Sequence, residues 1–359
     1  MKILIVKLSS IGDVVHTLPT LWAIHEALPT AEISWAVEKS AAEILRSNPL
    51  LTNLIEIDTR ALRREKKWAA KWSLGRQQLR QLRAQKFDIA LDFQGLLKSG
   101  LIAKLSGAAE RIGFAKENLR EPLSRYLLTE TARVPTKIHI IEKNLRLAEK
   151  ALEIKIPLAG DDYQFPIATS EEHQGVAESL IREIGGDFVI LNPGGGWATK
   201  LWEAERFGKL ADRILSEFNL KSVVNFGPGE ESLAERVQMA SGRGATLAAS
   251  LSLKEFYELS KRATLYIGGD TGPTHLAVAA GAPVVGIFGP TEWWRNGSPR
   301  EMDVSVERFD IGCRENCHRR QCNNWICLDI EVERVLRAVK QRIELKTENG
   351  KRQPNYSLV

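Results

Sequence analysis

The chain has 359 residues, a formal net charge of +5 at neutral pH, 43% hydrophobic and 26% charged residues. That is the composition of a soluble globular protein, long enough for two domains with separate cores. No apolar run reaches the ~18 residues of a membrane-spanning helix, and the chain opens on a strand-like apolar run rather than a signal peptide, so the expected location is the cytoplasm.

Residues 2–7 read as a short apolar strand, Leu8 to Asp13 as a small-residue loop, and 14–27 as a helix. A strand, tight loop and helix in that order begin an α/β unit whose loop lies at the carboxyl edge of a parallel sheet, where ligands bind. Asp13 in that loop can take a proton from an attacking hydroxyl, or it can cap the following helix; both readings stand. His16 is read as structural. Further strands are expected at 33–37, 54–57 and 89–93, with helices at 40–47, 66–85, 96–104 and 139–151 and a less regular stretch over 107–128. This is a first α/β domain, 1–155.

Ten Lys or Arg residues lie between Arg60 and Lys86, against the single acid Glu65, with Trp68 and Trp72 one helical turn apart among them. A basic amphipathic helix carrying Trp fits an anionic lipid surface or a multiply charged acceptor; a solvated face with two core tryptophans is the alternative. No nucleic-acid motif accompanies the charge, so no nucleic-acid partner is expected.

Residues 156–170 have the Pro, Gly and Asp content of a linker. A second α/β domain, 171–329, then runs strand 188–192, loop 193–200, helix 203–218, strand 222–226, helix 231–239, helix 253–262, strand 264–267, helix 273–280 and strand 283–288. Cys313, Cys317, Cys322 and Cys327 follow in one short segment. Their spacing is wider than the paired C-x-x-C of common zinc sites, and disulfides do not persist in a reducing cytoplasm, so free loop thiols are expected and no metal. A last helix, 330–345, precedes a polar tail, 346–359.

The second domain offers chemistry at successive strand ends. Gly194-Gly195-Gly196 lets a ligand approach the main chain, and Lys200 at the loop's end can neutralise a phosphate. Glu230, after Phe226-Gly227-Pro228-Gly229, suits ribose hydroxyls or simply starts a helix. Gly268 to Gly272 turns from a buried strand into a helix with Pro273 in its first turn, which makes an anion seat flanked by Asp270 and His275. A bare helix cap by Asp270 or Thr271 is the plain alternative. Together the loops describe a nucleotide-diphosphate site. With Asp13 supplied by the other domain, the whole describes a two-domain glycosyltransferase. No D-x-D pair is present to hold a divalent metal, so the protein's own positive groups must stabilise the departing diphosphate.

On the segments 2–19, with Lys7-Leu8-Ser9-Ser10-Ile11-Gly12-Asp13 at their centre, 92–99, 120–123, 192–202, and Asp270-Thr271-Gly272-Pro273-Thr274-His275-Leu276, nearly the whole chain resembles the lipopolysaccharide heptosyltransferases of glycosyltransferase family 9. Its likeness is to the members that add the first heptose. The resemblance implies a GT-B fold, two Rossmann-like domains with parallel sheets facing across a cleft and the last helix crossing back to the first domain. It also implies inverting, metal-independent transfer of L-glycero-D-manno-heptose from ADP-heptose to the Kdo region of lipid A, with no cofactor.

Carried over by motif, Asp13 is the general base, Lys200 contacts the phosphates, Glu230 holds the ribose, Asp270 faces the heptose, and Thr271, Gly272 and His275 hold the diphosphate. Gly195 and Gly196 stand where some members have hydroxyl residues, which leaves only backbone contact there, and Leu251 stands where an apolar residue packs near adenine. Ser10, Arg60, Arg63, Arg64 and Arg120 fall on the acceptor side, where arginines grip carboxylates and phosphates through paired hydrogen bonds. A monomer peripheral on the cytoplasmic face of the inner membrane is implied. The alternatives are the same transfer at another core position, and a GT-B-shaped nucleotide-sugar epimerase or hydrolase.

Overall fold

Ile3, Leu4, Ile5 and Val6 are fully shielded from solvent, which requires β1 (Lys2–Val6) to lie inside a sheet covered on both faces. The computed structural model describes residues 1–156, 163–314, 317 and 319–352, and for residues 62, 63, 68, 69, 71 and 346–352 the backbone alone. Parts of the expected linker and tail, and the side chain of Arg63, lie outside the described residues. The chain divides into two units, Met1–Ala168 and Thr169–Val359, with the boundary inside the expected linker.

In the first unit β1 leads to α1 (Ile11–Val15), α2 (Leu18–Ala27), β2 (Glu32–Glu38), β3 (Asn53–Ile57), α3 (Thr59–Arg64), α4 (Trp68–Arg83), β4 (Ile89–Asp92), α5 (Leu97–Leu105), β5 (Glu110–Phe114), β6 (Glu130–Ala132) and α6 (Ile140–Leu152). The sheet order is β3-β2-β1-β4-β5-β6, and every described pairing is parallel. The chain therefore reverses direction across the sheet between β1 and β4, and the loops after those two strands open at a topological switch point. Leu4, Val6, Ala36, Ile55 and Ala90 share one core with Leu82 of α4 and Ala103 of α5.

The expected continuous helix 14–27 is two helices. Pro19 lacks the N–H that Val15 would accept, so α1 stops at Val15 and α2 restarts with Pro19 in its first turn. Asp13 is thus the third residue of α1 rather than the N-cap of a helix starting at Val14, and its carboxylate still serves the helix start by accepting the Ser10 N–H. Residues Lys39–Leu45 form a 3₁₀ helix rather than the expected α-helix.

The second unit repeats the plan: α7 (Glu171–Ile184), β7 (Phe188–Asn192), α8 (Ala204–Phe218), β8 (Lys221–Asn225), α9 (Glu231–Ala240), β9 (Thr246–Ala249), α10 (Leu253–Ser260), β10 (Leu265–Gly269), α11 (Gly272–Ala279), β11 (Val284–Phe288), α12 (Trp293–Asn296), β12 (Val304–Glu307) and α13 (Val332–Arg352). Its parallel sheet is ordered β12-β11-β10-β7-β8-β9, so here the switch point lies between β7 and β10. A core of Val189, Leu191, Phe207, Leu210, Ile267, Val285, Val335 and Val339 joins the sheet to α8 and α13. The last helix runs on to Arg352 instead of stopping near 345. No helix among the described residues is long and apolar enough to cross a membrane.

Candidate active site

Parallel strands end on one edge, and in the second unit the ends of β7, β8 and β10 are neighbours. Asn192 closes β7: its Nδ2 donates to Gly194 O at 2.9 Å, and its Oδ1 accepts from Asn225 Nδ2 of β8 at 2.8 Å. Glu230, at the head of α9, accepts from the Gly227 N–H through Oε2 at 2.9 Å. A Cβ on Gly194 would fall 2.1 Å from that oxygen, one on Gly195 2.6 Å from Thr271 Cγ2, and one on Gly269 2.8 Å from Lys200 O. These contacts are closer than any side chain allows. The three loops of the sequence reading meet because those positions are glycine, whereas Gly196 faces open space.

At the head of α11, Lys200 Nζ lies 2.5 Å from Asp270 Oδ2 and donates to the Asp270 carbonyl at 3.2 Å, while His275 Nε2 is 3.1 Å from Asp270 Oδ1. Burial alone would push the Asp270 carboxyl up, but the His275 hydrogen bond and the Lys200 charge together hold it well below the usual carboxylate range. Thr271 is the N-cap residue of α11 and makes no side-chain cap hydrogen bond, and the Asp270 oxygens are turned to Lys200 and His275. The bare helix-cap reading therefore fails for both. The first N–H groups of a helix have no partner within it, and its positive dipole end lies behind them; Gly272 begins that turn. Leu251 is half-buried in the loop between β9 and α10.

In the first unit the loop after β1 and the first turn of α1 hold two of the other expected residues, Ser10 and Asp13. Asp13 Oδ2 accepts from both the Ser10 N–H and the Ser10 hydroxyl at 2.9 Å. Lys7 Nζ lies 3.6 Å from Asp13 Oδ1 and donates to the Phe93 carbonyl at 2.9 Å, although the Lys7 side chain is only 3% exposed. Beneath it, Asp92 at the end of β4 is raised by complete burial, offset in part by the Gly95 N–H, the Ser99 hydroxyl, the Gln94 N–H and the Lys7 charge. Lys98 of α5 pairs with Glu38 of β2 and donates to Thr59 Oγ1 at 2.9 Å, at the start of α3. Arg60, Arg64 and Arg120 are exposed, and the first two share a face of α3 by their spacing. Trp72 is 57% exposed, so the core reading fails for that tryptophan.

The sequence reading missed Lys7, Lys98, Trp197 and Arg320. Lys200 Nζ and Arg320 Cζ lie 4.5 and 4.9 Å from the centre of the Trp197 ring. A lysine closing a wholly apolar strand was the one available signal, for Lys7. The four cysteines are unpaired thiols, and among the described residues no three His, Cys, Asp or Glu side chains are grouped to hold a metal ion.

Two doubly wound units, each a parallel six-stranded sheet with its loops opening at a switch point, make up the GT-B fold. Residues 76–325 match glycosyltransferase family 9 (heptosyltransferase). A Pseudomonas aeruginosa protein named lipopolysaccharide heptosyltransferase 1 is 30% identical over 330 residues, covering 90% of this chain and 87% of that one. The E. coli heptosyltransferase WaaC, solved with ADP-2-deoxy-2-fluoro heptose, superposes with a TM-score of 0.74 at 23% identity, over 96% of this chain and 100% of that one. A family 9 glycosyltransferase from Veillonella parvula gives 0.80 at 21% identity, over 96% and 97%. The chain belongs to glycosyltransferase family 9, the heptosyltransferases.

Proposed function

We propose that this protein transfers L-glycero-D-manno-heptose from ADP-heptose to the Kdo region of lipid A in lipopolysaccharide inner-core synthesis, with inversion and without a metal. Asp13 takes the proton of an acceptor hydroxyl as that oxygen bonds to the anomeric carbon. The bond from that carbon to the diphosphate breaks, and ADP leaves with the electron pair. Lys200, His275 and the head of α11 at Thr271 and Gly272 balance the charge that develops on the leaving diphosphate. Asp270 holds Lys200 and His275 and faces the heptose. Glu230 holds the ribose, Gly195 and Gly196 offer backbone contact, and Leu251 packs near adenine.

On the acceptor side Ser10, Arg60, Arg63, Arg64 and Arg120 bind Kdo carboxylates and lipid A phosphates. The basic helix α4, with Trp72 outward, rests on the anionic cytoplasmic face of the inner membrane, and the protein works as a monomer.

The observation that carries this reading is the Lys200–Asp270–His275 group at the head of α11, beside the glycine loop and Glu230. The heptosyltransferase 1 name of the Pseudomonas relative and the ADP-heptose analogue held by WaaC support heptose over another sugar. Purified protein with ADP-heptose should release ADP only when Kdo2-lipid A is added; release at the same rate without it would favour a hydrolase or epimerase.

A further inference from the structure

The cysteine-bearing segment is left over from this scheme, and its contacts point at the donor site. It is rooted at two ends. At one end the buried Arg314 pairs with Glu307 at the end of β12 and donates to the carbonyls of Gly289 and Thr291 at 3.2 and 3.3 Å, just past β11. At the other, Leu328 and Ile330 enter the core, and Trp202 Nε1 donates to Ile330 O at 2.9 Å. Between the roots the segment reaches the 3₁₀ turn Ala198–Lys200.

There it holds Thr199 from two sides. The Thr199 hydroxyl donates to Arg319 O at 2.7 Å, and Trp325 Nε1 donates to Thr199 O at 3.1 Å. The Arg320 guanidinium lies over Trp197, the residue whose carbonyl receives the Lys200 N–H at 3.0 Å and whose ring also meets the Lys200 ammonium. Behind the turn, Thr199, Trp325 and the thiols of Cys313, Cys317, Cys322 and Cys327 line a cavity of about 130 Å³. A backbone turn of three residues has little stiffness of its own, and charge stabilisation in a transition state depends on donors fixed beforehand.

We propose that the stretch Arg319 to Leu328 is a brace that sets the position of Lys200: Arg319 and Trp325 fix the turn through Thr199, and Arg320 fixes Trp197, the ring against which the ammonium rests. Thr199, Trp325 and Arg320 are positioning residues; they act through Lys200. The brace rests on the reading of Lys200 as a contact of the donor diphosphate.

The test compares Thr199→Val, which keeps the shape and loses the hydroxyl, Trp325→Phe, which loses the ring N–H, and Thr199→Ser, which restores the donor. Each removes or keeps one hydrogen bond, so Thr199→Val and Trp325→Phe should each weaken ADP binding or lower turnover about five- to tenfold. Acceptor KM should not move, and Thr199→Ser should recover most of the loss. Lys200→Ala is measured alongside. Kinetics unchanged in Thr199→Val and Trp325→Phe, with Lys200→Ala impaired, would overturn the brace alone. Unchanged donor kinetics in Lys200→Ala would overturn the role of Lys200 and the brace with it. A lowered Tm with intact donor kinetics marks a purely structural contact and also overturns the brace.

Discussion

Asp270 and Lys200 meet twice, carboxylate to ammonium at 2.5 Å and carbonyl to ammonium at 3.2 Å, and the second carboxylate oxygen of Asp270 is turned to His275. One acid just past β10 thereby orients both groups, and it does so out of solvent. The Lys200 and Asp270 side chains are 15% and 5% exposed.

Replacing Asp270 with Asn should leave the buried Lys200 ammonium without its counter-charge. Loss of one partner of a buried pair costs about 3–5 kcal/mol, so chemical denaturation of Asp270→Asn should show a loss of that order, and donor affinity should fall too. A variant as stable as wild type would mean that water, not the carboxylate, satisfies Lys200.

The pH dependence of that difference has a definite sign. The folded value of Asp270 lies below its ordinary 3.8, so its stabilisation is fully present above about 3.8 and is lost as pH falls from there toward the folded value. The stability gap between wild type and Asp270→Asn should be flat from about pH 8 to pH 5 and shrink only below about pH 4. A gap that closes between about pH 8 and pH 6 would contradict this assignment.

Gly194→Ala should displace the Glu230 carboxylate, since the new methyl would lie 2.1 Å from Oε2, and the Gly227 N–H would lose its acceptor. That oxygen is the tip of a flexible side chain, so the shift should cost little stability, while donor KM should rise with Glu230 moved. Gly196→Ala, with no atom within 4 Å of its Cβ, should leave Glu230 in place. A donor KM in Gly194→Ala equal to that of wild type would show that the loop contacts do not depend on Gly194.

In the first unit the buried Lys7 ammonium lies 3.6 Å from Asp13 Oδ1 and donates to the Phe93 carbonyl at 2.9 Å. Lys7→Met should lower turnover while leaving ADP binding unchanged. Wild-type turnover in a folded variant would remove Lys7 from the support of Asp13.

What was legible in the sequence follows from strength of pattern. Strands β1, β7, β8 and β10 each carry an apolar run, and the site loops follow them directly, so Asp13, Lys200, Glu230 and Asp270 could be placed on strand ends without coordinates. Strands β5, β6, β9 and β12 could not. Glu130–Ala132 and Thr246–Ala249 are short and carry little branched or aromatic character, and they are strands because a neighbour offers a free ladder. The division of 14–27 hinged on one missing N–H at Pro19. The brace on Thr199 joins residues more than a hundred positions apart, which no local pattern reveals.

The central claim is that an acceptor alcohol, relieved of its proton by Asp13, displaces ADP. It is tested most directly by mass spectrometry of Kdo2-lipid A after incubation with ADP-heptose and either wild-type protein or Asp13→Ala. General-base removal costs about 10²- to 10⁴-fold in rate, so wild type should add one heptose per acceptor while Asp13→Ala, still binding ADP, should add almost none. An acceptor that gains heptose at the wild-type rate from Asp13→Ala, or that never gains it from wild type although ADP is released, would contradict it.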